Sequence, residues 1–285
     1  MRKPKLSGVY YAAAPTLLDR QIQECFKNER GPGDLPIKPK GQTPEIQCII
    51  VPKYQYDISG PCAAWSYKQI SESGAPDVII ILGQTDKEYS GYSIEPFETP
   101  YGIVRVDQVF ARALGERKNI QENNAMFDDD EQIESQLPLI QFAYKTQREQ
   151  IKIMPILLST DVNFKELAVD IKEILLEQNK KAVIIVPTNF TYYGSNHGYV
   201  PFGENAHKKV YELDKGAFEL IEKGNPTDYL GYVDDKAMNT DNYLGIVLAM
   251  LIIKPKKVFL ENYYTTADVN EDYKNFISFA AMVLK

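Results

Sequence analysis

The chain has 285 residues, of which 44% are hydrophobic and 25% are charged, a composition typical of soluble globular proteins. Its formal net charge of −7 argues against the basic surface that nucleic-acid-binding proteins present, so nucleic acid is not an expected partner. No apolar run is long enough to cross a bilayer, and the tyrosine-rich N-terminus does not resemble a signal peptide. Neither a membrane partner nor secretion is expected, and a cytoplasmic location is predicted.

The cysteine and histidine content argues against a zinc knuckle or a histidine-rich metal site. Three cysteines, Cys25, Cys48 and Cys62, lack CxxC spacing and are predicted to be buried packing residues. The chain has two histidines, His197 and His207, whereas sites that use nitrogen ligands usually need two or three that converge on one ion. Both histidines are interpreted as polar residues without a metal.

The first half of the chain alternates predicted helices and buried strands. In chain order these are a helix over 15–28, a strand over 45–52, a helix over 61–73 opened by Pro61, and a strand over 76–83. Segment 84–106 predicts a hairpin, followed by helices over 107–117 and 128–147. Pro138 is expected to bend or restart the second of these helices.

The second half predicts a crossover unit and a mixed C-terminal third. Strand 152–158, helix 163–179 and strand 181–187 have the pattern of a βαβ unit, so the two strands are expected to be parallel neighbours. Helices over 204–222 and 241–253 precede strands over 256–266 and 276–284. The pattern predicts a single α/β domain over residues 1–285, with a central, largely parallel β-sheet flanked by helices.

Polar and aromatic residues follow three of the predicted strands. In open α/β sheets ligands bind beyond the carboxyl ends of the strands, because loops converge there without interrupting the sheet. The loops PKYQY, GQTD and PTNFTYYG present Lys53, Tyr54, Tyr56, Asp86, Asn189, Tyr192 and Tyr193. The sequence therefore predicts a cluster of these side chains at one edge of the sheet.

Several segments match, in order and spacing, the motifs of one family. VPKYQYDISGP (51–61) resembles a P-H-A-G-Y-x-Y-S-G pattern, and FETPYGIVRVD (97–107) resembles W-x-T-P-x-G-x-x-x-V-D. DEQIESQLPLI (130–140) is similar to E-H-S-x-E-x-Q-L-P-F-L, and PTNFTYYG (187–194) to S-S-D-F-S-H-Y-G. The chain thus resembles the MEMO family, which includes the AmmeMemoRadiSam system protein B. The resemblance covers nearly the whole chain and implies a fold like that of class II extradiol dioxygenases.

The positions that the resemblance assigns to a metal site hold different residues here. The family has histidine in P-H-A-G-Y and in G-P-N-H, aspartate and histidine in S-S-D-F-S-H-Y-G, and a cysteine before a late helix. The matching positions are Lys53, Asp86, Asn189, Tyr192 and Asn239, and Glu131 matches the histidine of E-H-S. Lysine repels a metal ion, and asparagine and tyrosine bind transition metals weakly. The resemblance therefore implies a lost metal site, with neither metal nor cofactor expected.

Lys53 has three candidate roles. It could supply an internal cation where relatives hold a metal, with Asp86 as its counter-charge and Asn189, Tyr192 or Asn239 as hydrogen-bond partners. It could act as a base or form a Schiff base, although a neighbouring aspartate would keep it charged. It could also be a lysine that faces solvent without a role.

The function expected from this reading is binding without catalysis. The former active-site cleft, lined also by Tyr54, Tyr56, Glu131 and Tyr193, would bind a peptide, a partner protein or a small molecule. The alternative is an enzyme related to extradiol dioxygenases that uses a changed metal ligand set or chemistry based on Lys53.

Overall fold

The computed structural model describes residues 1–37 and 45–285, and within them eleven strands form a sheet flanked by nine α-helices. The strands are β1 (Cys48–Val51), β2 (Val78–Gln84), β3 (Gly91–Tyr92), β4 (Phe97–Thr99), β5 (Gly102–Val106), β6 (Gln121–Glu122), β7 (Lys152–Leu158), β8 (Ala182–Pro187), β9 (Tyr192–Tyr193), β10 (Val258–Thr265) and β11 (Phe276–Leu284). The helices are α1 (Pro15–Lys27), α2 (Tyr56–Glu72), α3 (Gln108–Arg117), α4 (Gln132–Ala143), α5 (Phe164–Glu177), α6 (Ala206–Glu222), α7 (Pro226–Asp235), α8 (Tyr243–Ile253) and α9 (Ala267–Asn270).

The sheet is mixed, with a parallel centre. The strand order along its main path is β10-β11-β1-β8-β2-β7-β3-β6. Strands β1, β8, β2 and β7 run parallel, whereas β11 is antiparallel to β1 and β3 is antiparallel to β7. The central strands are buried along almost their whole length, as expected for a sheet covered on both faces. The predicted fold class is confirmed.

The crossover through α5 differs from the prediction. Strands β7 and β8 are parallel, but each pairs with β2, which lies between them. The connection therefore steps over one strand, a lateral distance of about 10 Å at the usual strand spacing. Local pattern identifies the unit, but it does not reveal that an earlier strand occupies the place between its two strands.

Both helices that contain a proline continue through it. Helix α2 begins at Tyr56, so that Pro61 lies inside it, and α4 is unbroken at Pro138. Each proline removes one intrahelical hydrogen bond, but both helices are buried over most of their length, and this packing outweighs the loss. Helices α1 and α2 approach closely at Gly60, which has no side chain: an added Cβ there would lie 2.4 Å from Cys25 Sγ.

The remaining elements follow the sequence with small shifts. The hairpin predicted in 84–106 is formed by β4 and β5. Helix α4 begins later than predicted, after Asp130, whose carboxylate accepts a hydrogen bond from the Ile133 amide at 2.8 Å. Helices α7 and α9 and the short strands β6 and β9 were not predicted. The three cysteines are buried and free, as predicted. Among the described residues, no helix has the length and apolar character needed to cross a membrane.

The N-terminal segment is held against α4 by one buried carboxylate, that of Glu134. Its oxygens accept hydrogen bonds from the Leu6 amide at 2.7 Å and from the Tyr11 hydroxyl at 2.8 Å. Arg2 Nη2 lies 3.1 Å from the same carboxylate. This attachment places Tyr10 at the carboxyl ends of the central strands.

Candidate functional site

Lys53 lies two residues beyond the end of β1, and a neighbouring loop holds its main chain in place. Its amide donates to Asn189 Oδ1 at 3.1 Å, and its carbonyl accepts from Asn189 Nδ2 at 3.2 Å. The contact forms because β1 and β8 are parallel neighbours, with Val51 in register with Pro187, so the chain leaves both strands at the same edge. The fully buried Asn189 side chain therefore fixes the main chain of Lys53.

The Lys53 ammonium group pairs with a carboxylate from a third segment. Its Nζ lies 3.1 Å from Asp241 Oδ2, and the two side chains are 16% and 21% exposed. Asp241 Oδ1 accepts hydrogen bonds from Thr188 Oγ1 at 3.1 Å and from the Asn189 amide at 3.0 Å. Both carboxylate oxygens are thus engaged by the protein itself.

Tyr192 completes the cluster. Its hydroxyl donates to Asp241 Oδ2 and accepts from Asn189 Nδ2 at 2.8 Å. Burial raises the pKa of the Tyr192 hydroxyl, and the negative charge of Asp241 raises it further. Tyr192 therefore stays neutral and acts as a hydrogen-bond donor. We call the set Lys53, Asn189, Tyr192 and Asp241 the lysine cluster.

The position of Asp241 is set by the start of α8. The next residue, Asn242, is fully buried and caps this helix, with its Oδ1 accepting from the Gly245 amide at 3.1 Å. Its Nδ2 donates to the carbonyls of Leu82 at 2.8 Å and Pro187 at 2.7 Å. Asn242 thereby ties α8 to the ends of β2 and β8 and leaves the Asp241 side chain to face Lys53.

Aromatic side chains stand beside the lysine cluster. The rings of Tyr10 and Tyr54 lie 6.0 Å apart, and Tyr54 also packs on Phe279 at 6.0 Å. The Tyr10 hydroxyl donates to Glu131 Oε2 at 2.7 Å, and the Glu131 residue is exposed. Burial, followed by the hydrogen bond to Glu131, raises the pKa of Tyr10. The surroundings of the lysine cluster thus combine aromatic rings with one exposed carboxylate.

The structure brings together Lys53, Asn189 and Tyr192 as predicted, but the expected counter-charge is wrong. Asp86 is exposed and makes no salt bridge to Lys53, whose partner is Asp241. The Asn239 side chain does not face Lys53. Its Nδ2 donates to the Tyr192 carbonyl at 3.0 Å and to the His197 carbonyl at 3.3 Å.

Of the residues predicted to line the cleft, Tyr54 and Glu131 lie beside it and two tyrosines do not. Tyr56 is 2% exposed and donates to the Ser135 carbonyl at 2.6 Å. Tyr193 is 5% exposed and donates to the Phe202 carbonyl at 2.6 Å. Both belong to the core. Tyr56 is the first residue of α2 and packs inward, and Tyr193 alternates with Tyr192 on β9 and faces the opposite side.

Two members of the site were missed in the sequence. Asp241 and Asn242 precede an apolar run, which is a pattern typical of a helix start. That pattern does not indicate which charged residue Asp241 contacts. Tyr10 contacts Glu131 across a separation of 121 residues, and no local pattern in the sequence predicts such a contact.

A buried carboxyl group lies behind the loop that carries Tyr192. Asp214 on α6 is fully buried and accepts hydrogen bonds from Thr191 Oγ1 at 2.6 Å and from the Tyr263 hydroxyl at 2.8 Å. Burial raises the pKa of Asp214 to about 6, an effect that these hydrogen bonds partly offset. Its charged form is therefore disfavoured in the folded protein.

The comparison with known proteins identifies the family. A family model described as Memo-like protein matches residues 2–283. The chain belongs to the Memo-like family. MEMO1 family proteins of Methanopyrus kandleri and of Methanococcus maripaludis strain C6 are 28% and 30% identical to it, each over 100% of this chain and 99% of the relative. That of Sulfolobus acidocaldarius is 27% identical over 99% of this chain and 98% of the relative.

A solved structure supports the fold. The crystal structure of an uncharacterized protein from Escherichia coli K12 matches with a TM-score of 0.52 and 10% sequence identity, over 84% of this chain and 100% of that one. The MEMO resemblance of the sequence motifs is confirmed, and with it the extradiol dioxygenase-like α/β fold.

Replacing Asp241 tests the coupling in the lysine cluster. Asp241→Asn is expected to lower the free energy of unfolding by about 3 kcal/mol, because it leaves the partly buried Lys53 ammonium group without a counter-charge. Lys53→Met in the same background is expected to recover about 1 kcal/mol or more of that loss. Urea denaturation measures all four members of the cycle. The matched control, Asp86→Asn, is expected to change stability by no more than about 0.5 kcal/mol, and additive effects of the two cluster substitutions would contradict the pairing.

Asp214 predicts a specific pH dependence of stability. Its pKa is about 6 in the folded protein and about 3.9 in the unfolded chain, so the folded state binds the proton more tightly. Stability should therefore fall as pH rises from about 4 to 6, by about 2–3 kcal/mol in total, and this loss should be complete above that window. Urea denaturation across this range compares the wild type with Asp214→Asn, which should have a smaller slope, and with the exposed control Asp235→Asn, which should keep the wild-type slope. Equal slopes in all three proteins would contradict the assignment.

Proposed function

We propose that this MEMO family protein is a non-catalytic binding protein, whose lysine cluster replaces the family's metal site and whose cleft binds a peptide, a partner protein or a small molecule. The observation that carries the proposal is the ion pair of Lys53 and Asp241, with its Nζ to Oδ2 distance of 3.1 Å. The ammonium group stands at the position that the motif comparison assigns to a metal-binding histidine.

The donor set supports loss of the metal. Asparagine and tyrosine are weak ligands for copper, iron and zinc, and a lysine ammonium group repels any cation. Asn189 uses its amide oxygen and nitrogen on Lys53 and Tyr192, and Asp241 uses both oxygens. Within the described parts of the chain, no group of three His, Cys, Asp or Glu side chains is arranged to hold an ion. The residues at this position do not fit a transition metal, and no catalytic step through one is derived.

The cleft walls support a binding role. Ligand sites are usually lined by aromatic and apolar groups with a few oriented polar groups. Tyr10 and Tyr54 supply two rings with centroids 6.0 Å apart, and the Tyr10 hydroxyl donates to the exposed carboxylate of Glu131. Lys53 is fixed through both its main chain and its side chain, so the polar groups are in place before a ligand arrives.

The neighbouring charge disfavours chemistry based on Lys53. A lysine that forms a Schiff base needs its neutral amine, which is usually obtained by desolvation or by a nearby cation. Here the closest charge is the Asp241 carboxylate, which favours the ammonium form. Lys53 is accordingly a structural cation and a hydrogen-bond donor in this proposal.

Metal analysis separates binding from metal-dependent catalysis. Protein purified without chelators should contain copper, iron and zinc at levels far below one atom per chain when measured by plasma mass spectrometry. The baseline is the same protein after dialysis against a chelator. A stoichiometric metal in the undialysed sample that is lost in Asp241→Asn would overturn the proposal and favour the enzyme alternative.

Fluorine NMR tests where small ligands bind. Protein labelled with 3-fluorotyrosine is titrated with a library of aromatic fragments, and the resonance of Tyr54 is assigned from Tyr54→Phe. Fragments should shift the Tyr54 resonance and leave that of Tyr273, an exposed tyrosine assigned from Tyr273→Phe, unchanged. Shifts at Tyr273 without shifts at Tyr54 would contradict a binding role for the cleft.

A further inference from the structure

A cavity of about 750 Å³ lies away from the lysine cluster, between the β4–β5 hairpin and the segment that follows α4. Its lining includes the cations Arg105, Lys145 and Arg148 and a carboxylate, that of Glu149. The cavity adjoins the start of β7 at Lys152, whereas the lysine cluster lies at the carboxyl ends of β1 and β8. The two sites therefore occupy opposite ends of the parallel centre of the sheet.

The three cations lack carboxylate partners. None of them forms a salt bridge with a residue in 1–37 or 45–285, although Arg2, Lys53, Arg117 and Lys180 elsewhere in the chain all do. Residues 38–44 include neither aspartate nor glutamate, so they supply no missing carboxylate. A concentration of unpaired cations is unexpected in a protein with a formal net charge of −7.

A fourth cation adds to this imbalance. Arg105 on β5 is in register with Lys152 on the parallel strand β7, which brings two cations together as cross-strand neighbours. Both residues are exposed, and their charges together favour an anion at this end of the sheet.

Arg148 is held in an orientation suited to an anion. Its Nε donates to the Gln141 carbonyl at 3.1 Å, and its guanidinium group stacks 4.2 Å from the centre of the Tyr101 ring. The two terminal nitrogens make no hydrogen bond within the described part of the chain, so they remain available as donors. A fixed guanidinium plane with free terminal donors matches the paired oxygens of a phosphoryl group, and little side-chain freedom is lost on binding.

We propose that this cavity binds the phosphoryl group of a small soluble molecule. Arg148 supplies the paired hydrogen bonds, and Arg105 and Lys145 neutralise the remaining charge. The volume of about 750 Å³ lies within the range of small-molecule sites and leaves room for an organic group beside the phosphate. The single carboxylate of Glu149 reduces the positive charge but does not cancel it. The competing reading is a solvated basic surface that attracts all anions equally.

Titration with pyrophosphate distinguishes a phosphoryl site in the cavity from a basic surface that attracts all anions equally. Isothermal titration calorimetry at constant ionic strength, set with sodium chloride, is expected to show saturable binding to the wild type. Arg148→Gln should weaken binding at least tenfold, since it removes a charge-assisted pair of hydrogen bonds. Arg148→Lys should also weaken it severalfold, because it keeps the charge but loses the planar fork. The matched control is Arg112→Gln, which removes an exposed arginine from α3 and should bind as the wild type does.

Three outcomes would overturn the proposal. The first is absence of saturable binding to the wild type, and the second is equal weakening by Arg148→Gln and Arg112→Gln, which would indicate attraction by overall charge. The third is unchanged binding in both of two single variants, Arg148→Gln and Arg105→Gln, whose side chains come from different elements. Circular dichroism and thermal melts confirm that each variant is folded, and pyrophosphate should raise the melting temperature of the wild type more than that of Arg148→Gln.

Discussion

The ion pair between Lys53 and Asp241 joins three segments that meet at the carboxyl edge of the sheet. Lys53 follows β1, Asn189 and Tyr192 follow β8, and Asp241 precedes α8. A partly buried ammonium group is destabilising without a counter-charge, and a partly buried carboxylate has the same requirement. The conformation of each loop therefore depends on the other two. The side-chain amide of Asn189 links them, because it bonds to both the Lys53 main chain and the Tyr192 hydroxyl. In the lysine cluster the polar groups satisfy one another, and the protein itself supplies both charges.

The chain has the fold of its family, whereas the residues at the centre of the site differ from those in the family motifs. The mixed sheet and its flanking helices are present, as expected for a chain that matches the Memo-like family over residues 2–283. The centre of the cleft instead carries a lysine, two amide or hydroxyl side chains and a paired aspartate. Since one scaffold hosts many functions, the proposed binding role rests on the site residues and not on the fold. The cationic cavity at the opposite end of the parallel strands offers a second surface with different ligand chemistry.

The parts of the site that follow from strand order were predictable, and those that depend on long-range contacts were not. Lys53, Asn189 and Tyr192 converge because parallel strands end at a common edge, which the apolar pattern of β1 and β8 indicates. Asp86 also follows a central strand, but its side chain lies in solvent, and sequence does not reveal which way a loop residue turns. Asp241 is one of several acidic residues ahead of α8, and long-range contacts direct it toward Lys53: the buried bonds of Asn242 and the hydrogen bonds that its own carboxylate accepts. Similarly, the βαβ pattern identified β7 and β8 but not the insertion of β2 between them.

The most direct test of the central claim is a crystal structure with anomalous diffraction data collected at the copper, iron and zinc absorption edges. The account predicts Lys53 Nζ in hydrogen-bond contact with Asp241 Oδ2 and no anomalous peak within the lysine cluster. A metal ion bound among Asn189, Tyr192 and Asp241, with the Lys53 side chain turned away into solvent, would contradict it.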